Sequence, residues 1–93
     1  MIKSFRHQGL KNFYETGDKS GIQPHHASRL MVILTAMNVA KAPADLKAAV
    51  TFKAHQLSGD LNEYWSLSVN ANWRIIFKFV DTDVELVDYL DYH

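Results

Sequence analysis

The sequence predicts an α+β domain in which helices come first and an antiparallel meander comes second. Two observations carry this. Apolar residues recur at helical spacing up to about residue 49, and the period changes from 3.6 to 2 from residue 50. Turn-forming clusters then divide the alternating half into hairpin-length strands. The chain has 93 residues, 47% of them apolar and 22% charged, with two prolines. This is a globular composition, at a size that suits a single domain over residues 1–93.

Met1 to Phe5 reads as a short first strand. Leu10, Phe13 and Tyr14 stand at i, i+3 and i+4 and predict an amphipathic helix over residues 8–16. Gly17 and Gly21 bracket the polar loop that ends it. Pro24 fits the first turn of a second helix. Ala27, Leu30, Met31, Leu34 and Met37 give that helix its apolar stripe, through about Val39. Pro43 breaks the helical pattern, and residues 45–49 allow one more helical turn. Thr51 to Leu57 reads as a strand, and Ser58-Gly59-Asp60 as a turn. Trp65, Leu67 and Val69 alternate with polar residues, and Asn70-Ala71-Asn72 forms a turn. Trp73, Ile75, Phe77 and Phe79 share one face of the next strand and are expected to pack on the helices. Asp81-Thr82-Asp83 is a second hairpin turn, and Val84 to Asp91 the last strand.

Several function classes fall away on composition. There is no cysteine, which excludes a disulfide scaffold, a thiol nucleophile and a cysteine-ligated zinc site. No apolar run approaches the ~20 residues of a membrane span, and residues 1–9 lack the apolar stretch of a secretory signal. A reduced, cytoplasmic setting is the expectation. The net charge of zero hides an asymmetry: residues 1–58 carry eight Lys/Arg against three acids, and residues 59–93 carry two against seven. Either the two halves neutralise each other across packed elements, or a basic face awaits a polyanion.

Walker-type loops, dinucleotide-binding glycine runs and zinc-protease signatures are missing from the sequence. The polar residues that remain as candidates are His55, Asn72, Arg74, Asp91, Tyr92 and His93. Arg74 lies on the strand face opposite Trp73 and Ile75. There it is either a phosphate-binding fork or half of a structural ion pair with Glu85 or Asp91. A histidine beside its own α-carboxylate, as His93 is, holds its proton more strongly and suits a general acid. His25 and His26 are adjacent and do not share a helix face, so they make a poor metal site. No metal or other cofactor is expected.

The run HQLSGDLNEYWSLSVNANWRIIFKF from His55, the terminal DYH and the opening MIKSFRHQGL resemble the HigB toxins of the RelE/ParE-like superfamily. The resemblance covers essentially the whole chain. Its most specific parts are G-D-x-x-x-Y-W-S-x-x-V, N-x-W-R-I-x-F and D-Y-H. It implies two N-terminal helices on a curved antiparallel sheet, and a ribosome-dependent endoribonuclease that cuts messenger RNA during translation. It also implies a cognate HigA-type antitoxin that represses its operon by binding operator DNA. The family's functional positions fall on His55, Asn72, Arg74, Asp91, Tyr92 and His93. Some relatives carry a lysine where this chain has Ser58, so one phosphate-binding charge is missing, with Lys53 and Lys78 near enough in sequence to compensate.

For such a reaction the expected roles come from chemistry. Arg74 clamps the scissile phosphate, and His55 and His93 share the proton transfers, with no metal needed. Asp91 positions or polarises His93 or Arg74, while Asn72, Tyr92 and Lys53 hold RNA. Two rival readings remain: a gyrase-directed inhibitor of the ParE branch, and an interaction module without catalysis.

Overall fold

The computed structural model describes residues 1–91. Helix α1, Gln8–Thr16, has the expected bounds and buries Leu10 and Phe13. Its first turn is capped by His7, whose Nδ1 accepts from the Leu10 amide at 2.9 Å. Gly17 closes the helix in the left-handed region, at φ 82°, and donates to the Phe13 carbonyl at 2.8 Å. The loop after it lies tightly on α1. A Cβ on Gly9 would stand 2.5 Å from the Gly21 carbonyl oxygen, and one on Gly21 would stand 2.5 Å from Gly9 Cα.

A 3-10 turn over Pro24–His26 leads directly into α2, Ala27–Val39. α2 buries Ala27, Leu30, Ile33, Leu34 and Met37. Met31, expected in the apolar stripe, is turned to solvent, and Ile33 takes its place in the core. A third helix, α3, spans Pro43–Lys47. The Asp45 carboxylate caps its start by accepting from the Lys41 and Ala42 amides at 2.9 and 3.2 Å.

The sheet has four strands in sequential antiparallel order: β1 (His55–Gln56), β2 (Tyr64–Ser68), β3 (Trp73–Val80) and β4 (Asp83–Asp91). The core face of β3 is the expected one. Ile75 and Phe77 are fully buried, and Trp73 and Phe79 pack against the same cluster. Two expectations fail. The strand expected over Thr51–Leu57 shrinks to two residues. Val50–Phe52 instead forms a 3-10 turn, and Lys53 succeeds it in the left-handed region at φ 51°, which takes the chain out of extended geometry.

Met1–Phe5 is likewise no continuous strand. It meets β4 through two parallel bridges, Ile2 with Val84 and Phe5 with Val87. Between them β4 carries a bulge: Ile76 pairs with Asp88 but Lys78 with Glu85, so β4 spends one residue more than β3. Leu86, at φ 57°, absorbs it, and its amide is taken by the Ser4 hydroxyl at 2.9 Å.

The Gly9–Gly21 approach generates a prediction. Gly9→Ala should lower stability by about 1–3 kcal/mol, because backbone rather than a flexible side chain must give way. Ser20→Ala, in the same loop and exposed, should stay within about 0.5 kcal/mol of the parent. Urea midpoints of the two variants decide it.

Candidate functional site

Cross-strand register sorts the sheet's side chains, because residues directly opposite share a face. His55 pairs with Ser66, Ser66 with Ile76, and Ile76 with Asp88, which makes one row across the face turned away from the helices. Arg74 lies on that same face, opposite Ser68 and Leu90. With strands ~4.8 Å apart and a rise of ~3.4 Å per residue, the His55 and Arg74 backbones stand roughly 12 Å apart. Ser66 and Ile76 between them are buried. Among the described residues this face encloses no pocket.

His55 is exposed, but its ring is oriented. Its Nδ1 lies 3.0 Å from the Lys53 carbonyl oxygen. A carbonyl only accepts, so Nδ1 carries the proton, and Nε2 is the basic edge of the neutral ring. The left-handed backbone of Lys53 is what aims that carbonyl. The Lys53 side chain is exposed beside it. Lys78, the other cation near Ser58 in sequence, is engaged by Glu63 at 3.5 Å.

Arg74 is held by the turn that precedes it. Its Nη1 donates to the carbonyls of Asn70 (2.6 Å), Trp73 (3.0 Å) and Ala71 (3.3 Å). Three carbonyls of its own turn thus hold the guanidinium. Glu85 stands opposite Lys78, and Asp91 stands opposite Trp73 on the helix-facing side. With the guanidinium fixed through one nitrogen, the rest of its fork can meet a phosphate.

Asn72 is exposed at the tip of the turn. The turn itself is built on Asn70, whose Oδ1 accepts from the amides of Asn72 (3.1 Å) and Trp73 (3.0 Å). Behind the turn stands His26, a buried polar side chain only 3% exposed. Its Nε2 is 2.6 Å from Asn70 Nδ2, and its Nδ1 is 2.5 Å from the Tyr89 hydroxyl. Trp73 stacks on Tyr89 with ring centroids 4.5 Å apart and receives the edge of His26 at 5.5 Å. Both ring nitrogens of His26 are thus committed. Burial lowers the His26 pKa, with the neighbouring His25 adding to the effect. Burial raises that of Tyr89; the Gln23 backbone opposes this and Asp91 adds to it.

Thus His55 and Arg74 come together on one face, with Asn72 at its end and Lys53 beside His55. Asp91 ends β4 on the opposite face. Tyr92 and His93 lie outside the described residues. His26 and Asn70 are not among the residues that sequence reasoning singles out for the site. The Asn-Ala-Asn turn hints at the second, and nothing local marks the first.

Fold and face together are those of a small α+β protein with a four-stranded antiparallel sheet. The chain belongs to the HigB-like toxins, the family described as the RelE-like toxin of type II toxin–antitoxin system HigB, which matches residues 3–93. It is 42% identical over 93 residues to Endoribonuclease HigB of Proteus vulgaris, covering all of both chains. It is 32% identical to Toxin HigB-1 of Vibrio cholerae serotype O1, across all of this chain and 98% of that one. Its fold is also similar to the crystal structure of YafQ from E. coli strain BL21(DE3), with a TM-score of 0.53 and 17% identity over 96% of this chain and 91% of that one. A toxin of a type II system has an antitoxin as its partner. Among the described residues, no helix is long and apolar enough to cross a membrane.

The buried His26 predicts a pH dependence of stability. The fold favours the neutral imidazole, whose unfolded-state pKa is about 6.5. This contribution is complete above that pH and is lost as pH falls below it towards the lower folded-state value. Denaturant midpoints should therefore fall between pH 7 and pH 5, and the fall should be shallower in His26→Phe. An identical slope in the two proteins would place the effect elsewhere.

Proposed function

We propose that this toxin is an endoribonuclease that cuts messenger RNA held in the ribosome, acting as one domain in the cytoplasm and checked by a HigA-type antitoxin that carries the pair to operator DNA. The observation that carries the chemistry is the pairing, on one sheet face, of a histidine whose Nε2 is presented as a base with an arginine braced by its own turn. The endoribonuclease name of the 42% identical relative supports the same reading.

In this reading His55 Nε2 takes the proton from the ribose 2′-hydroxyl. That oxygen attacks the adjacent phosphorus, and the free fork of Arg74 balances the charge gathering on the non-bridging oxygens. His93 returns a proton to the leaving 5′-oxygen. The products are a 2′,3′-cyclic phosphate and a 5′-hydroxyl. Asn72 and Tyr92 orient the message, and Lys53 supplies a phosphate contact beside His55, near the position where some relatives carry a lysine and this chain has Ser58. An open face with few fixed cations gains most from a partner that presents the message already bent for in-line attack.

Translation-coupled cleavage of a reporter message tests this, with antitoxin binding and melting as controls for folding. His55→Ala should slow cleavage by about 10²–10⁴-fold and Arg74→Ala by about 10²–10³-fold. Deleting His93 should abolish it with antitoxin binding kept. A full rate in either Arg74→Ala or His55→Ala would remove the proposed chemistry. A full rate after His93 deletion would leave the leaving-group proton to the ribosome.

A further inference from the structure

A chain of hydrogen bonds runs from the core to Arg74. Asn70 Oδ1 accepts from two backbone amides, those of Asn72 and Trp73, so its carboxamide cannot flip without losing both. Its Nδ2 therefore faces His26 and can only donate. His26 Nε2 must then be the bare nitrogen and Nδ1 the protonated one, directed at the Tyr89 hydroxyl. The Asn70 carbonyl accepts the shortest of the three bonds from Arg74 Nη1, and it also accepts from the Ser68 hydroxyl at 3.2 Å. Asn70 thus stands between a buried imidazole and the guanidinium, joined to each by its own atoms.

We propose that His26 and Asn70 are positioning residues for RNA cleavage: His26, anchored on Tyr89, fixes the Asn70 side chain, and Asn70 fixes the turn from which the Arg74 fork is aimed. Neither residue needs to touch RNA. The inference rests on the reading that Arg74 meets the scissile phosphate. Its physical content is pre-organisation, since small misplacements of a charge-stabilising group cost large factors in rate.

The experiment compares single-turnover cleavage on programmed ribosomes by the full-length toxin and its variants. Asn70→Ala should lower the maximal rate by about 10²-fold with half-saturation shifted less than about threefold. His26→Phe keeps a ring but offers Asn70 no acceptor, and should do the same. His26→Gln, which puts an oxygen near the Nε2 position, should recover most of the loss. In an Arg74→Ala background, Asn70→Ala should cost less than about threefold more, because coupled residues are not additive. A full second loss there would overturn the proposal.

Two outcomes separate this inference from the reading beneath it. If Arg74→Ala cleaves at full rate, the phosphate role fails. If Arg74→Ala is slow while Asn70→Ala and His26→Phe are fast, the positioning fails and the phosphate role stands. Should His26→Phe not fold, the ring nitrogens of the unaltered protein still decide. The ¹⁵N shifts of His26 at pH 7.5 should report the Nδ1–H tautomer, which Asn70→Ala should lose. An Nε2–H tautomer or an imidazolium in the unaltered protein would overturn the proposal.

Discussion

Between Val84 and Tyr89 the last strand takes one residue more than the strand beside it, and most of the molecule's sidedness depends on that extra residue. Val84 faces the helices. Strict alternation from there would turn Leu86, Asp88 and Leu90 inward and leave Val87 and Tyr89 in solvent. The left-handed turn at Leu86 resets the phase, so that Val84, Val87 and Tyr89 are all buried. A leucine at positive φ costs roughly 1–3 kcal/mol. Against that stand the bonds that the Leu86 and Val87 amides donate to Ser4 and the burial of a valine and a tyrosine. The same reset puts Asp88 and Leu90 opposite Ile76 and Arg74 on the outer face.

Once Tyr89 points inward, the end of the core becomes partly polar. A buried phenol and a buried imidazole must each find partners, and they find one another. Trp73 covers them, and Asn70 satisfies the remaining nitrogen. The N-x-W-R segment thereby divides its labour. Trp73 goes into the core and fixes the depth of the turn, while Arg74, one residue on, emerges on the other face. The strand's alternation converts a core contact on one side into a placed charge on the other.

Much of this is legible in the sequence. The helices at Gln8 and Ala27, the hairpins and the buried face of β3 come from periodicity and turn chemistry, and His55, Asn72 and Arg74 stand out by type and by resemblance. The bulge does not, because Leu86 sits in an ordinary alternating strand with no glycine to mark it. The short β1 is hidden for the same reason, since Lys53 carries no local sign of its left-handed backbone. His26 has His25 as its neighbour in sequence, but its meaning comes from Tyr89, 63 residues away. Periodicity shows which face a residue takes; it does not show which polar groups meet once the faces are assembled.

The charge asymmetry along the chain finds its place here as well. The outer face is not a basic surface. Lys78 is engaged by Glu63, while Glu85 and Asp88 stand on β4 opposite Lys78 and Ile76. Among the described residues, Arg74 and the exposed Lys53 are the cations beside the row from His55 that no acid engages. For single strands the salt dependence of binding scales as about 0.7 per phosphate neutralised. Two such contacts give only weak and weakly salt-dependent affinity for free RNA. A face of this kind cannot select its substrate by attraction. On the proposed reading it distinguishes a strand already held in a cleavable shape, since His55 as base and Arg74 as phosphate clamp, roughly 12 Å apart at the backbone, would act together only on a phosphodiester that lies between them in line. The rigidity of the site and the sparseness of its charge are therefore complementary. On that reading, the binding energy that the surface lacks comes from whatever holds the message, and what the surface supplies is geometry.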